Sequence, residues 1–448
     1  MPSNAEPFSA VPAAQSDVVV VGGGPAGCTA ATLLARRGLS VTLLEKDRHP
    51  RFHIGESLLP MNLPIFERLG VLKSVEAIGV RKAGADFPAP TPEGYNVFRF
   101  ERALDPTWAH AYQVRRDELD PILFENAATN GVSAFQGQRV TRFSAGPDAV
   151  TVEGVSDSGQ PFLCKARYLV DATGRDTLVG NQLRLKRKSK HHQSAALFAH
   201  FHNVERRPGA DAGNISIYRF EQGWVWLIPL RDGITSVGAV CWPDHLKGRR
   251  TDNREFLLQT LRSIPALWQR MERAEIVGNL HATGNYSYAC TRMSGRRWIM
   301  AGDSYAFVDP IFSSGVYLAM HGAEAAADVV EGTLRNPGRE RALQRGYERQ
   351  VARGLRALSW FIFRFTSPAM RKLFAKPRND LQLEQAMISM LAGDVFRDNG
   401  VAWRLRVFKL IYFVTALGGL KEQARAFLFR RRQARAVFTG GTTGQDSV

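Results

Sequence analysis

The sequence predicts an α/β fold in three parts: a Rossmann-type dinucleotide-binding domain, a β-sheet substrate domain and a C-terminal helical region. Three observations carry that reading. A strand, a glycine-rich turn and a helix open the chain; strands bounded by turn residues fill the middle; and beyond Arg339 the pattern turns helical, aromatic and basic. Asp17–Val21 is a short continuous apolar run, as expected of a parallel strand buried on both faces. Gly22–Gly24 turns the chain, and Ala26–Gly38 has helical periodicity ending on a glycine. Ser40–Leu44 is a second strand that ends at Glu45 and completes a βαβ unit. Phe143–Val155 and Phe162–Val170 read as strands joined by a turn at Asp157–Gln160, and Ile215–Tyr218, Trp224–Pro229 and Thr235–Val240 as a further strand block. Arg297–Ala301 is another buried strand, and Gly315–Leu334 a helix. Residues 17–90, 113–182 and 285–345 are therefore expected in the dinucleotide domain, 91–112 and 183–284 in the substrate sheet, and 346–436 in the helical region. Residues 1–16 and 437–448 are expected as disordered tails.

The 448 residues are long for one core, so two closely joined domains are expected. Hydrophobic content of 44% and charged content of 23% are ordinary for a globular chain, whereas a formal net charge of +17 is not. That balance points to an acidic partner, an anionic surface or an anionic ligand. Cys28, Cys164, Cys241 and Cys290 are scattered without CxxC spacing, which argues against a disulfide framework or a zinc site and suits a reducing cytoplasm. The N-terminal stretch has no basic segment ahead of an apolar run, so it does not read as a signal peptide.

Residues 22–27 read Gly-Gly-Gly-Pro-Ala-Gly between a strand and a helix. Gly22 permits the tight turn, Gly24 lets backbone approach a pyrophosphate, and Gly27 lets helix and strand pack closely. The helix start, at Ala26, then offers N–H groups and a partial positive charge to the phosphates. Glu45 closes the second strand about twenty residues on, where a carboxylate holds ribose hydroxyls.

Two later segments bear on which dinucleotide is bound. Val170-Asp171-Ala172-Thr173-Gly174 and Met300-Ala301-Gly302-Asp303-Ser304 each follow a strand. They resemble the Ala-Thr-Gly and Gly-Asp segments of the flavoprotein monooxygenases. That resemblance implies FAD, with Asp303 on its ribityl chain and Arg116 lying along it. Arg116 also fits a solvated helix charge. No second Gly-rich strand–turn–helix is present for a nicotinamide cofactor, so electrons are expected as reduced flavin from a separate reductase or from transiently bound NADPH.

Four stretches together resemble the flavin-dependent halogenases, in the branch acting on phenols, pyrroles and carrier-tethered aromatics. They are Gly55–Pro60, Gly79–Phe87, Gly223–Pro229 and Asp309–Val316, and the similarity spans roughly residues 15 to 345. Gly-Trp-x-Trp-x-Ile-Pro is the most discriminating, because ordinary flavin hydroxylases lack it. The resemblance implies that reduced FAD and dioxygen oxidise chloride or bromide to hypohalous acid, which Lys82 holds or traps as a haloamine beside the aromatic substrate. It implies cofactor contacts at Lys46, Glu56, Ser57, Pro310, Gly315 and Val316, and a halide held by the backbone of Ser314 and Gly315. Trp224 and Trp226 alternate and so share a strand face, where they would either wall the flavin off from substrate or simply pack a core. Tryptophan-acting members carry a glutamate where this chain has Phe312, so a phenol or pyrrole is the expected substrate. An aromatic hydroxylase or prenyl-chain reductase of the same fold, or a docked flavoprotein without chemistry, are the other readings.

Between Val401 and Arg435 the charges are basic apart from Glu422, interleaved with aromatic and aliphatic residues. Three readings suit this segment: helices packed on the substrate domain with a solvated basic face, a dock for an acidic acyl carrier protein, or attachment to an anionic membrane surface. Arg430, Arg431 and Arg432 are expected on the exposed face. No nucleic-acid motif accompanies the charge. The expected location is cytoplasmic, with peripheral membrane contact as one option.

Overall fold

The computed structural model describes residues 15–435, without Pro90, Pro92, Glu93, 190–192, 285–286 and 376–378. The tails expected at 1–16 and 437–448 lie outside the described residues, except that Gln15 and Ser16 belong to the first strand. β1 (Gln15–Val21), α1 (Pro25–Arg36) and β2 (Val41–Leu44) form the βαβ unit. β1 is paired in parallel on both sides, with Val18 opposite Val41 and Tyr168. Its valines sit in the middle of a covered sheet, which is why the run is apolar without alternation.

β3 (Val80–Lys82), β4 (Gly84–Pro88), β5 (Tyr95–Arg99) and β6 (Ala111–Gln113) precede α2 (Arg116–Thr129) and β7 (Ser133–Phe135). A hairpin of Gln138–Ala145 and Val150–Ser156 leads into β8 (Pro161–Asp171). The segment 143–155, expected as one strand, is thus split in two. Gly146 donates its N–H to Ala149 O at 2.8 Å, and Pro147 has no N–H to continue a ladder.

β9 (Ala195–His202), β10 (Ile215–Phe220), β11 (Gly223–Pro229), β12 (Thr235–Cys241) and β13 (Glu275–Thr283) come next, then β14 (Trp298–Met300) and α3 (Gly315–Arg335). Parallel strands in the order β14-β8-β1-β2-β7 make the dinucleotide sheet. The second sheet runs β13-β9-β12-β11-β10-β4-β5 and is antiparallel except where β10 meets β4. β4 lies within the 17–90 stretch expected in the dinucleotide domain, but it crosses to the second sheet. A Cβ on Gly84 would stand 2.4 Å from Phe98 O, so the glycine permits the close approach to β5 that takes it there.

α4 (Glu340–Ile362), α5 (Pro368–Ala375), α6 (Leu383–Leu391), α7 (Val401–Leu417) and α8 (Leu420–Arg435) complete the chain. The first four bury apolar side chains against one face of the second sheet. Phe365 is fully buried there, with its ring centroid 5.4 Å from Phe312, 5.7 Å from Phe87 and 5.7 Å from Phe374. The inner side of this region therefore packs on the substrate sheet, as the first of the three readings has it.

Candidate active site

A cavity of about 1140 Å³ extends from the carboxyl ends of β1, β2 and β8 to the face of β11 in the second sheet. Its position, outside the carboxyl ends of parallel strands, is the one an open α/β sheet offers a ligand. At the turn after β1, a Cβ on Gly22 would meet Ala172 O at 2.3 Å and one on Gly27 would meet Gly22 O at 1.8 Å. These two glycines are packing positions, and Gly27 is not among the cavity-lining residues. A Cβ on Gly24 would meet nothing closer than Arg51 Nη2 at 3.9 Å, and one on Gly315 nothing within 4 Å. Both face open cavity. Glycines that close the turn and glycines that leave room for a ligand are thus separated as a dinucleotide requires.

Glu45 is buried at the end of β2 and accepts from the backbone N–H groups of Gly23 at 2.5 Å and Asp47 at 2.9 Å. Ala26 and Lys46 also line the cavity, and Lys46 Nζ donates to Asp176 Oδ2 at 2.6 Å. Arg116 is no solvated charge. It is 5% exposed, lines the cavity, and clamps Asp120 through two bonds of 2.7 and 2.9 Å while donating to Ile54 O at 2.8 Å. Burial pushes the Asp120 carboxyl up, but the adjacent Arg116 guanidinium, with Arg51 and His53 behind it, outweighs this and holds it below the usual range. Asp303 lines the cavity with its carboxyl pushed up to about 6 by burial, against the pull of Arg175 and Arg116. A ligand hydroxyl donating to that carboxyl would relieve its desolvation. Glu56 and Ser57 line the cavity too, and Glu56 Oε1 lies 2.6 Å from His200 Nε2.

Trp224, Trp226 and Ile228 all line the cavity, so the alternation read from the sequence does place them on one ligand-facing side. The two indoles stand 5.7 Å apart. Trp226 Nε1 donates to Ser236 Oγ at 3.2 Å, whereas Trp224 Nε1 is buried without a partner among the described residues. A buried orphan donor at a cavity wall is suited to an acceptor on a ligand. Opposite, Pro310, Gly315 and Val316 line the cavity at the start of α3. Ser313 is left-handed (φ +57°) and Ser314 right-handed (φ −83°, ψ −9°); the Ser313 N–H donates to Pro310 O at 2.8 Å, which leaves those of Ser314 and Gly315 for an anion. Ser313 borders the cavity, whereas Ser314, expected at the halide, does not and is 3% exposed.

Lys82 is 1% exposed and is not among the cavity-lining residues. It sits behind Ser57, donating from Nζ to Ser57 Oγ and Leu58 O at 2.9 Å each, with the Phe100 ring centroid 5.5 Å away. Burial lowers its pKa to about 7. Ser57, which lines the cavity, is thus hydrogen-bonded directly to Lys82.

Sequence reasoning missed several cavity residues. Arg51 lies 3.7 Å from Glu45, 3.8 Å from Asp47 and 3.6 Å from Asp120, close to Gly24 where a pyrophosphate would come. His53, whose pKa falls to about 4 chiefly through burial, and Arg175 also line it. The density of basic and aromatic residues in 48–53, just ahead of Gly55, was the available signal.

Fold and site together define an FAD-dependent oxidoreductase, and comparison with known proteins agrees. The family model for the FAD binding domain matches residues 15–358. Tryptophan 2-halogenase of Chondromyces crocatus is 36% identical over 71% of this chain and 61% of its own length, so the chain spans less than two thirds of that relative. A flavin-dependent halogenase of Armillaria mellea is 32% identical over 71% of this chain and 68% of its own. The 1H-pyrrole-2-carbonyl peptidyl-carrier-protein chlorinase of Pseudomonas fluorescens is 28% identical over 85% and 89%. Among solved structures, the myxobacterial chondrochloren halogenase aligns at a TM-score of 0.73 and 27% identity, over 90% of this chain and 97% of that one. The chain belongs to the flavin-dependent halogenases.

Proposed function

We propose that the enzyme halogenates an electron-rich aromatic ring of phenol or pyrrole type, using reduced FAD delivered by a separate flavin reductase. The Pseudomonas fluorescens relative, named for a carrier-bound pyrrole, supports a tethered substrate as the form to test first. When bound and reduced, the flavin supplies the electrons and activated oxygen that turn chloride or bromide into an electrophilic halogen. The residues that would hold it are the Gly22–Gly27 turn, Glu45, Arg116 and Asp303. Backbone N–H groups of Ser314 and Gly315 would hold the halide, since that of Ser313 is taken by Pro310 O at 2.8 Å. The Trp224 and Trp226 indoles keep a bulky ring off the cofactor cavity.

Lys82 carries the reading. Its Nζ is buried with no carboxylate partner among the described residues, one hydroxyl away from the cavity, and has a pKa of about 7. At neutral pH such a group is present as both amine and ammonium. It can therefore offer a lone pair to an electrophilic halogen or a proton to a hypohalite oxygen. Phe312 packs against Phe365 where tryptophan-acting members place a glutamate, so this chain lacks that carboxylate. A phenol or pyrrole needs less such help.

The test supplies the FAD-loaded enzyme with a flavin reductase, NADH and chloride or bromide. The panel holds phenols, free tryptophan and a carrier-bound pyrrole carboxylate. Mass spectrometry should find halogen isotope patterns on phenol or pyrrole products. Oxygenated, halogen-free products would move the enzyme to the flavin hydroxylases, and tryptophan as sole substrate would overturn the ring assignment.

A further inference from the structure

Helix α7 has two apolar stripes, and only one is covered. Leu405, Phe408 and Tyr412 face inward and are buried in the core of the helical region. Leu410, Phe413, Val414 and Leu417 recur at helical spacing on another side and are 49–65% exposed. Gly418 and Gly419 turn the chain, and α8 begins at Leu420, itself 63% exposed, with Leu428 62% exposed further along. Among the described residues, ten of the fifteen exposed large apolar side chains lie on these two helices. Scattered exposed leucines need no explanation, but a concentration of this kind does.

The charge on these two helices is almost wholly basic, although Asp244, from outside them, lies 3.6 Å from Arg432. From Val401 to Gln433 there are eight basic residues and a single acid, Glu422, whose carboxylate lies 3.9 Å from Lys372 Nζ of α5. Arg406, Lys421, Arg425, Arg431 and Arg432 are exposed. Arg430, expected on this face, is instead turned inward: it donates to Phe363 O at 2.9 Å, and burial lowers its pKa.

We propose that the α7–α8 hairpin is a docking face for an anionic membrane surface. Its apolar tip, Leu417 to Leu420, would enter the boundary between headgroups and acyl chains, with the flanking arginines and lysines on lipid phosphates. A second copy of the chain would set basic charge against basic charge. A small acidic protein would answer the charges but leave the projecting tip in water. An anionic bilayer answers both, as for amphipathic interfacial helices in general. No described helix is long and apolar enough to cross a membrane, so the contact is peripheral.

Flotation of the full-length FAD-loaded protein tests this. Vesicles of phosphatidylcholine with phosphatidylglycerol should carry it upward, and vesicles of phosphatidylcholine alone should not. Salt should weaken the association by screening. Leu417→Asp with Leu420→Asp should abolish flotation, while Arg425→Glu with Arg431→Glu should lower partitioning about tenfold or more. All four positions are exposed, so FAD content and melting temperature should stay at wild-type values. Failure to float with anionic vesicles, or flotation unaltered by the leucine variants, overturns the proposal. So does a concentration-dependent dimer that the leucine variants dissolve, which would make the face a self-association interface. Salt-sensitive capture of an acidic acyl carrier protein without vesicle binding overturns it equally.

Discussion

Gly24 and Lys82 show how much single positions decide. The Cβ of a Gly24→Asp variant would point into open cavity beside Arg51, where the pyrophosphate comes, so its carboxylate would repel the cofactor without straining the turn. That variant should purify folded and colourless, and flavin absorbance at wild-type level would refute the placement. Lys82→Ala should retain FAD and consume reduced flavin and dioxygen, yet form no halogenated product, because the side chain stands outside the cofactor cavity. Halogenation at the wild-type rate would end the proposed role. Lys82 also imprints stability. Its folded pKa of about 7 lies below the 10.5 of a free lysine, so below pH 7 both states hold the proton. Between those values the unfolded chain holds a proton that the folded one has lost, and stability rises with pH. Relative to Lys82→Met, the wild type should gain up to about 1.4 kcal/mol per pH unit above pH 7, read by urea melts.

Where elements meet, glycines and phenylalanines set the tolerances. Gly238 of β12 pairs with Trp226 of β11, and a Cβ there would lie 2.2 Å from the indole and 2.6 Å from Phe198. Gly238→Ala should therefore cost about 1–3 kcal/mol through overpacking and push Trp226 toward the cofactor cavity, weakening FAD binding as well. A variant with wild-type melting and FAD affinity would show that the sheet yields there. Phe365 joins the helical region to the second sheet, and Phe365→Ala should cost about 3–5 kcal/mol, measured by thermal or denaturant unfolding.

The molecule as a whole places one ligand between two sheets, so cofactor and fold should be thermodynamically linked. Residues from both the Gly22–Gly27 turn and β11 line the same cavity. FAD at about a hundredfold excess over its Kd should stabilise the chain by about 2.7 kcal/mol, if it binds the folded state alone. Calorimetry should show a melting temperature that climbs with FAD in the wild type and stays flat in Gly24→Asp.

Local rules made the turn at Gly22–Gly27, the carboxylate at Glu45 and the shared face of Trp224, Trp226 and Ile228 readable from sequence. Each depends on neighbours within a few residues: a tight turn needs glycine, and a strand alternates its side chains. Only tertiary pairing carried β4 into the second sheet, brought Arg51 between Glu45 and Asp120, and set Lys82 behind Ser57 rather than in the cavity wall. Likewise, the mixture of arginine and leucine in residues 401–433 was plain, but which stripe of α7 is buried depended on what packed against it. Those outcomes follow from the burial of apolar surface between elements far apart in the chain, and periodicity within one element does not record its partner.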